Sequence, residues 1–228
     1  MAARPDRLPY APDAVLDVAC ALGSPCADRA DAGGLVACAL EAGRRGRAAA
    51  LGLASLGRAP SELLAERGVE VVSRDRCGCD AAGVWVSALT VRDGARCHVE
   101  LFEGELAEKG RALRRAGVEI EDAALVELHL AHEFYHVLEA VGEVPDPSTL
   151  PRVPLCSAFG LRRGRVPAQA GEVSAHAFAH ALVPAVPHPV LADLVVAREL
   201  GRGPADEPDR TLGRAWNTYE AGLVPAVG

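Results

Sequence analysis

The chain has 228 residues, of which 50% are hydrophobic and 4% aromatic, so it can bury a sizeable core built mainly from alanine, valine and leucine. Its formal net charge of −7 argues against direct nucleic-acid binding, because such proteins usually present a basic surface. No apolar run reaches the roughly 18–20 residues that cross a bilayer, and the N-terminal residues lack the apolar stretch of a secretory signal. We therefore expect a soluble, cytoplasmic protein without a membrane partner. Its oligomeric state is not indicated by any pattern.

The cysteines suggest little chemistry. Their number, seven, is odd, and a cytoplasmic protein keeps its thiols reduced. Four resemble ordinary small core residues: Cys20, Cys26, Cys38 and Cys156. The others lie near a histidine and offer a possible second metal site, formed by Cys77, Cys79, Cys97 and His98. Because these residues lack the paired C-x-x-C spacing of most such sites, the alternative is a turn whose thiols bind nothing.

Residues 1–58 are predicted to form a helical N-terminal segment of unknown role. Glycine and proline clusters divide it into short alanine-rich helices. These helices are expected around Asp13–Leu22, Gly34–Ala42 and Ala48–Leu56. No residue in this segment indicates a chemical function, and residues 59–228 are predicted to form the main domain.

The main domain begins with a helix and three strands. The helix starts at Ser61 and ends at Gly68. Runs of β-branched and alternating residues then predict strands at Val69–Val72, Val84–Val91 and Cys97–Phe102. The turn sequence at 92–94 predicts that the second and third strands form a hairpin. The third strand is a candidate edge for binding an extended peptide.

A long helix over Asp122–Val141 is the clearest element, because apolar residues recur at helical spacing and Gly142 follows the last of them. Residues 143–170 are rich in proline and are predicted to be a long irregular connection. Further helices are expected at Glu172–Leu182, at about Val190–Leu200, and within Pro204–Val224. This order of elements predicts an α+β fold.

The long helix contains an H-E-x-x-H motif at residues 132–136. Residues four apart on a helix differ by about 40° around the axis and roughly 6 Å along it, so His132 and His136 can share one metal ion. Glu133 lies about 100° away, where it can reach a water molecule on the ion without being a ligand. The alternative is a surface helix that carries two histidines by accident.

A catalytic zinc ion usually has a third protein ligand. Glu139 lies on nearly the same face, but three ligands spread along about 10 Å of one helix cannot converge on an ion. The metzincin pattern is excluded, because its glycine and third histidine would fall on Glu139 and Gly142. Glu172 is the best candidate, since a carboxylate beside an apolar stripe is unfavourable unless it is paired or binds metal. The alternative is an exposed first-turn glutamate that the helix dipole stabilises.

Two segments together resemble the ImmA/IrrE family of zinc metallopeptidases. The first reads A-H-E-x-x-H-x-L over residues 131–138, and the second reads E-x-x-A-x-x-F-A-x-x-L-x-P over residues 172–184. The helix, strand and hairpin before them also follow the order of that family, so the resemblance covers about residues 59–186. It implies a zincin-like metalloprotease domain, with zinc held by His132, His136 and Glu172 and with Glu133 as catalytic base.

The chain departs from the family pattern at one position near the site. His176 stands where the family commonly has asparagine, and it is expected either to support the metal ligands or to replace Glu172 as a ligand. Residues 1–58 resemble no part of the family.

The implied mechanism is peptide hydrolysis by a zinc-activated water, with Glu133 passing its proton to the leaving amine. Glu139 is a candidate for orienting a ligand histidine. A donor to the tetrahedral oxyanion is also required, and the candidates are His180, His188 and Tyr219.

The leading functional hypothesis is therefore a zinc endopeptidase that acts on a protein or peptide. Because members of the family cut repressor proteins, the resemblance implies a regulatory protease with a specific target of that kind. The second hypothesis is a zinc-binding interaction or regulatory module without turnover. The third is a metal-free helical interaction protein, which metal analysis would distinguish from the other two.

Overall fold

The structure, a computed structural model, describes residues 11–77, 86–93, 96–155, 163–202 and 206–223. Within these ranges the chain is mostly helical, with eight α-helices and a three-stranded sheet, which confirms the α+β class. The helices are α1 (Asp13–Leu22), α2 (Ala32–Ala54), α3 (Pro60–Glu66), α4 (Glu103–Arg115), α5 (Asp122–Val141), α6 (Ala170–Leu182), α7 (Pro189–Glu199) and α8 (Glu207–Leu223). The strands are β1 (Glu70–Arg74), β2 (Ala88–Asp93), β3 (Arg96–Phe102), β4 (Val153–Leu155) and β5 (Arg163–Arg165). In the described part of the chain, no helix combines the length and the apolar character that a membrane span needs.

Helix α2 is a single helix of 23 residues, so the prediction of two shorter helices in this region is wrong. The glycines that suggested a break lie inside it, where helices approach closely. A Cβ atom at Gly46 would lie 2.0 Å from the carbonyl oxygen of Ser174 in α6, and one at Gly43 would lie 2.0 Å from Oδ2 of Asp17 in α1. Each glycine lowers the intrinsic stability of the helix by about 1 kcal/mol relative to alanine, but it lets a neighbouring element pack against the backbone.

The three-stranded sheet has the order β1-β3-β2. Strands β2 and β3 are antiparallel, with Ala88 opposite Leu101, which confirms the predicted hairpin. Strand β1 runs parallel to β3 on its other side. The prediction that the third strand forms a peptide-binding edge is therefore wrong, because both of its edges are paired within the sheet. Strands β1 and β2 form the two outer edges of this sheet. Residues 84 and 85 of the predicted second strand lie outside the described residues.

Helix α4 was not predicted from the sequence, because glutamate and arginine interrupt its apolar pattern. Its acidic first turn and basic last turn suit the helix dipole. Its buried residues are Glu105, Leu106, Lys109, Gly110, Ala112 and Leu113, and they form its inner face. Lys109 is therefore a charged side chain that lies inside the molecule.

Helix α5 has the predicted bounds, and Gly142 ends it with a φ of +78°, a conformation that favours glycine. The irregular stretch after α5 contains the short antiparallel pair β4–β5, which was not predicted. Helix α6 lies between two apolar cores. Its Phe178 belongs to the core around α5 and the sheet, and its Val173 belongs to the core around α1, α2 and α8. The second core thus draws on both sides of residue 58, and the division of the chain there stays a prediction.

Candidate metal centre

Helix α5 directs the two motif histidines towards one point. The Nε2 atoms of His132 and His136 are 3.1 Å apart, as expected for residues one helical turn apart on the same face. Both side chains are partly buried, with 15% and 21% exposure. The two nitrogens are therefore close enough to bind the same ion and remain accessible to it.

Helix α6 adds the carboxylate of Glu172 to this pair. Its Oε2 lies 3.2 Å from Nε2 of His132, and its Oε1 lies 3.5 Å from Nε2 of His136. In a tetrahedral site with zinc–ligand bonds of 2.0–2.1 Å, ligand atoms are separated by about 3.3 Å. The three donors of this metal cluster, as we call His132, His136 and Glu172, are thus spaced to share one cation. In the described ranges, no other group of three metal-binding side chains comes close enough to do so.

The carboxylate and the imidazoles of the metal cluster stabilise each other's charged forms. Hydrogen bonds with His132 and His136 hold the pKa of Glu172 well below its usual range, despite its partial burial. Burial lowers the pKa of His136, but hydrogen bonds to Glu139 and Glu172 outweigh it and raise that pKa to about 10. Glu172 is therefore not a free first-turn glutamate, because it is paired with both imidazoles.

Glu133 is held next to the metal cluster by the edge strand β2. Its Oε2 accepts a hydrogen bond of 2.7 Å from the backbone N–H of Thr90 and another of 2.7 Å from the Thr90 hydroxyl. The side chain is only 6% exposed. Thr90 was not identified from the sequence, because the contact joins two residues 43 positions apart.

A cleft of about 740 Å³ opens over these residues. Its walls come from β2, from α5 and from the stretch that follows α5. Lining residues include Thr90, Arg92, Glu133, Pro147 and the three members of the metal cluster. The cleft therefore brings the potential ligands, the potential base and the outer edge of β2 into one accessible space.

No family model, curated protein or solved structure matches this chain.

Two further predicted residues lie next to the metal cluster. Glu139 Oε2 is 3.5 Å from Nδ1 of His136, where it can orient that imidazole. The ring of His176 lies 4.8 Å from the ring of His132, and its Nδ1 is 3.5 Å from Sγ of Cys20. Among the residues that the structure describes, His176 belongs to no group of converging donors, whereas Glu172 does. The geometry thus favours Glu172 over His176 as the third ligand.

None of the three predicted oxyanion donors lines the cleft. His180 Nδ1 is 3.1 Å from the carbonyl oxygen of Val186, and Nδ1 of His188 accepts a hydrogen bond from the N–H of Val190 at the start of α7. Tyr219 packs against Trp216 at the second core. Arg92, which was not predicted, also lines the cleft and is its arginine.

The cysteine-rich group gains no support as a metal site. Cys77, Cys97 and His98 do not form a group of converging ligands in the described part of the chain. Cys79 lies outside the described residues, as does Cys156. Cys38 is buried as predicted, whereas Cys20 and Cys26 are only partly buried.

A second, smaller cavity, which was not predicted from the sequence, adjoins the cleft. It is lined by Lys109, His129, His176 and Asp193, and it shares His132, Glu133 and Glu172 with the cleft. Burial lowers the pKa of His129 and of His176 well below the ordinary value. Lys109 is the one lysine among the 24 lysine and arginine residues. Its place among the buried residues of α4 is the feature that points to this cavity.

Proposed function

We propose that this chain is a zinc-dependent endopeptidase that hydrolyses peptide bonds in the cleft, with Glu133 as its catalytic base. The observation that carries the proposal is the convergence of His132, His136 and Glu172 beside Glu133 within one accessible cleft. Two imidazoles and one carboxylate form the ligand set of many catalytic zinc sites. A zinc ion bound there would act as a Lewis acid and lower the pKa of a water molecule towards neutrality.

The surrounding residues suit proton transfer at a fixed position. Glu133 accepts the proton of the attacking water and passes it to the leaving amine, and the two hydrogen bonds from Thr90 fix its carboxylate in place. Glu139 orients the imidazole of His136 through Nδ1. The zincin-like assignment of the domain rests on this arrangement and on the motifs at residues 131–138 and 172–184.

The shape of the cleft favours a polypeptide substrate. The outer edge of β2 borders it through Ala88, Leu89, Thr90 and Arg92, and the backbone N–H of Thr90 already donates to Glu133. An extended peptide can pair with such an edge through backbone hydrogen bonds, so that its side chains alternate between the cleft and solvent. We propose β2 for this role in place of the central strand β3. A specific regulatory target such as a repressor remains part of the proposal through the family resemblance.

A second candidate is a zinc-binding regulatory module without turnover. One contact favours it: Thr90 donates two hydrogen bonds to the same oxygen of Glu133, which ties α5 to the sheet as a structural carboxylate would. The two candidates differ in whether Glu133 is needed for hydrolysis.

The test compares zinc-loaded wild type with Glu133→Gln on a library of unstructured peptides, with cleavage followed by mass spectrometry. Loss of the base is expected to reduce the cleavage rate by about 10²–10⁴-fold while zinc content stays near one per chain. Glu119→Gln, at an exposed position outside the cleft, is the matched control and should cleave at the wild-type rate. Zinc binding without cleavage by wild type would favour the regulatory module.

A further inference from the structure

The smaller cavity, which we call the chamber, adjoins the metal cluster. It has a volume of about 170 Å³ and lies between α4, α5, α6, α7 and the start of β2. Because His132, Glu133 and Glu172 line both the chamber and the cleft, a group bound in the chamber is next to the reacting atoms. At about 30 Å³ per water molecule, the volume is that of roughly five or six waters. It therefore suits one short side chain or a chain end.

The chamber contains a buried cation. Lys109 is only 1% exposed, and its Nζ lies 2.5 Å from Oδ1 of Asp193 in α7. The side chain of Asp193 is 54% exposed, so this carboxylate can turn towards solvent without losing its hydration. The ammonium cannot leave in the same way, since its position on the inner face of α4 is fixed by packing.

The chamber also contains a polar atom without a partner. Nε2 of His129 is shielded from solvent and has no hydrogen-bond partner among the described residues. A buried nitrogen of this kind is unfavourable unless water or a ligand satisfies it. His129 and Lys109 line the same chamber, so one acceptor group placed between them could bond to both.

We propose that the chamber is a carboxylate-binding subsite, in which Lys109 and His129 recognise a carboxylate that the substrate carries close to the scissile bond. In the free protein the ammonium of Lys109 is paired with Asp193. The substrate carboxylate takes the place of the Asp193 carboxylate, which turns into solvent. This inference rests on the proposed peptidase function and specifies its substrate: a peptide with an acidic side chain, or a free C-terminus, next to the cleaved bond.

Three carboxylates also line the chamber, and each has partners of its own: Glu172 is paired with the two motif imidazoles, Glu133 with Thr90 and Asp193 with Lys109. Once Asp193 turns towards solvent, the ammonium of Lys109 is left to pair with an incoming anion. A cationic side chain would meet the ammonium of Lys109 and, in zinc-loaded protein, the ion that the metal cluster would hold. A large apolar side chain would bury Lys109 and the unpaired nitrogen of His129 against hydrocarbon, which is unfavourable for both groups. A carboxylate gains a charge-assisted hydrogen bond from Lys109, the strongest kind that the chamber offers.

The test measures the binding of three short alanine-based peptides to zinc-loaded Glu133→Gln protein by calorimetry, so that no peptide is cleaved. The first is blocked at both ends and carries one central glutamate, the second is identical but carries glutamine, and the third is the glutamine peptide with a free C-terminus. We expect at least one of the two carboxylate peptides to bind about tenfold more tightly than the blocked glutamine peptide. The peptide that does so identifies the carboxylate as a side chain or as a chain end.

Two substitutions introduced into that protein assign the effect to the chamber. Lys109→Met keeps the length of the side chain but removes the charge, and should abolish the preference for a carboxylate. Asp193→Asn frees the ammonium, and should enlarge the preference. A purely structural ion pair between α4 and α7 would instead lower the thermal stability of both variants and leave the peptide preference unchanged. Equal binding of all three peptides, or a preference that survives Lys109→Met, overturns the proposal.

The outcome is separable from that of the proposed function. Lys109-dependent carboxylate binding without any hydrolysis by wild type would keep the chamber and overturn the peptidase. Hydrolysis by wild type without a Lys109-dependent preference would do the reverse. Repeating the titrations on zinc-free protein removes binding to the metal itself, so a preference that persists there belongs to the chamber.

Discussion

Two polar clusters lie near α6, and they differ in how their atoms meet. In the metal cluster the donor atoms are separated by 3.1–3.5 Å and converge on one point. The second cluster, which we call the Asp17 network, consists of Asp17, Arg47 and His188. There Nε2 of His188 lies 3.9 Å from Oδ1 of Asp17, and neither atom has a hydrogen-bond partner among the described residues.

The comparison shows that access and convergence, rather than the mere presence of histidine and carboxylate, distinguish a binding site. Glu172 is 40% exposed and faces the cleft, whereas Asp17 is fully buried. Burial raises the pKa of Asp17 to about 6, although Arg47 opposes the shift. The two imidazoles lower the pKa of Glu172 instead. The metal cluster thus stabilises the charged form of the Glu172 carboxylate. In the Asp17 network, the charged form of the Asp17 carboxylate lowers the stability of the fold.

The largest expected difference between the clusters is in metal binding. His136→Ala and Glu172→Ala should each lose most of the zinc, because a site rarely survives the loss of one of three ligands. Asp17→Asn should retain about one zinc per chain, as wild type should. Elemental analysis after gel filtration measures this directly, and normal zinc in Glu172→Ala would show that the ligand set is wrong.

The next largest effect concerns the helix packing that positions α6. Gly46→Ala places a Cβ atom 2.0 Å from the carbonyl oxygen of Ser174, so α2 and α6 must separate. We expect a loss of about 3 kcal/mol in the free energy of unfolding, at the upper end for an overpacked site. Gly52→Ala is the matched control in the same helix, because a Cβ there meets nothing within 4 Å. It should raise stability slightly, and chemical denaturation of both variants tests the contrast.

The Asp17 network should make the free energy of unfolding depend on pH. Because the folded-state pKa of Asp17 is raised from 3.8 to about 6, its contribution to stability is fully present below about pH 4 and is lost as the pH rises towards 6. Asp17→Asn removes this loss, so its stability relative to wild type should increase by up to about 3 kcal/mol between pH 4 and pH 7. The constant effect of leaving Arg47 unpaired cancels in this difference. A flat difference across that range would contradict the expected shift.

The smallest effect should come from the contact between Thr90 and Glu133. Thr90→Val removes the hydroxyl that donates to Oε2 but keeps the backbone N–H bond. Loss of one hydrogen bond to a charged group, about 1.5 kcal/mol, should slow peptide cleavage roughly tenfold with zinc content unchanged. Thr90→Ser retains the hydroxyl and should cleave peptides at the wild-type rate. If Thr90→Val and Thr90→Ser cleave at the same rate, the Thr90 hydroxyl does not contribute to catalysis.

The elements that were predicted well are those whose signals are local. Helix α5 has both a regular apolar period and a terminal glycine, so its bounds could be read directly. Helix α2 was divided wrongly, because Gly43 and Gly46 serve contacts with α1 and α6 that no local pattern reveals. Helix α4 was missed because glutamate, arginine and Lys109 interrupt its apolar pattern. The partner that allows Lys109 to be buried, Asp193, lies 84 residues away in the chain.

The same division holds for the site. The sequence alone determined that His132, Glu133 and His136 share a region of one helix, because helical geometry fixes residues three and four apart without reference to the rest of the chain. The sequence also indicated Glu172 as the third ligand, but only the tertiary structure shows its carboxylate beside the two imidazoles. The contacts of Thr90 with Glu133 and of Lys109 with the chamber were found only in the tertiary structure. These contacts depend on how closely α6 and the sheet approach α5. That approach is set by packing between segments far apart in the chain. A local sequence pattern does not specify which of these segments contact one another or how closely.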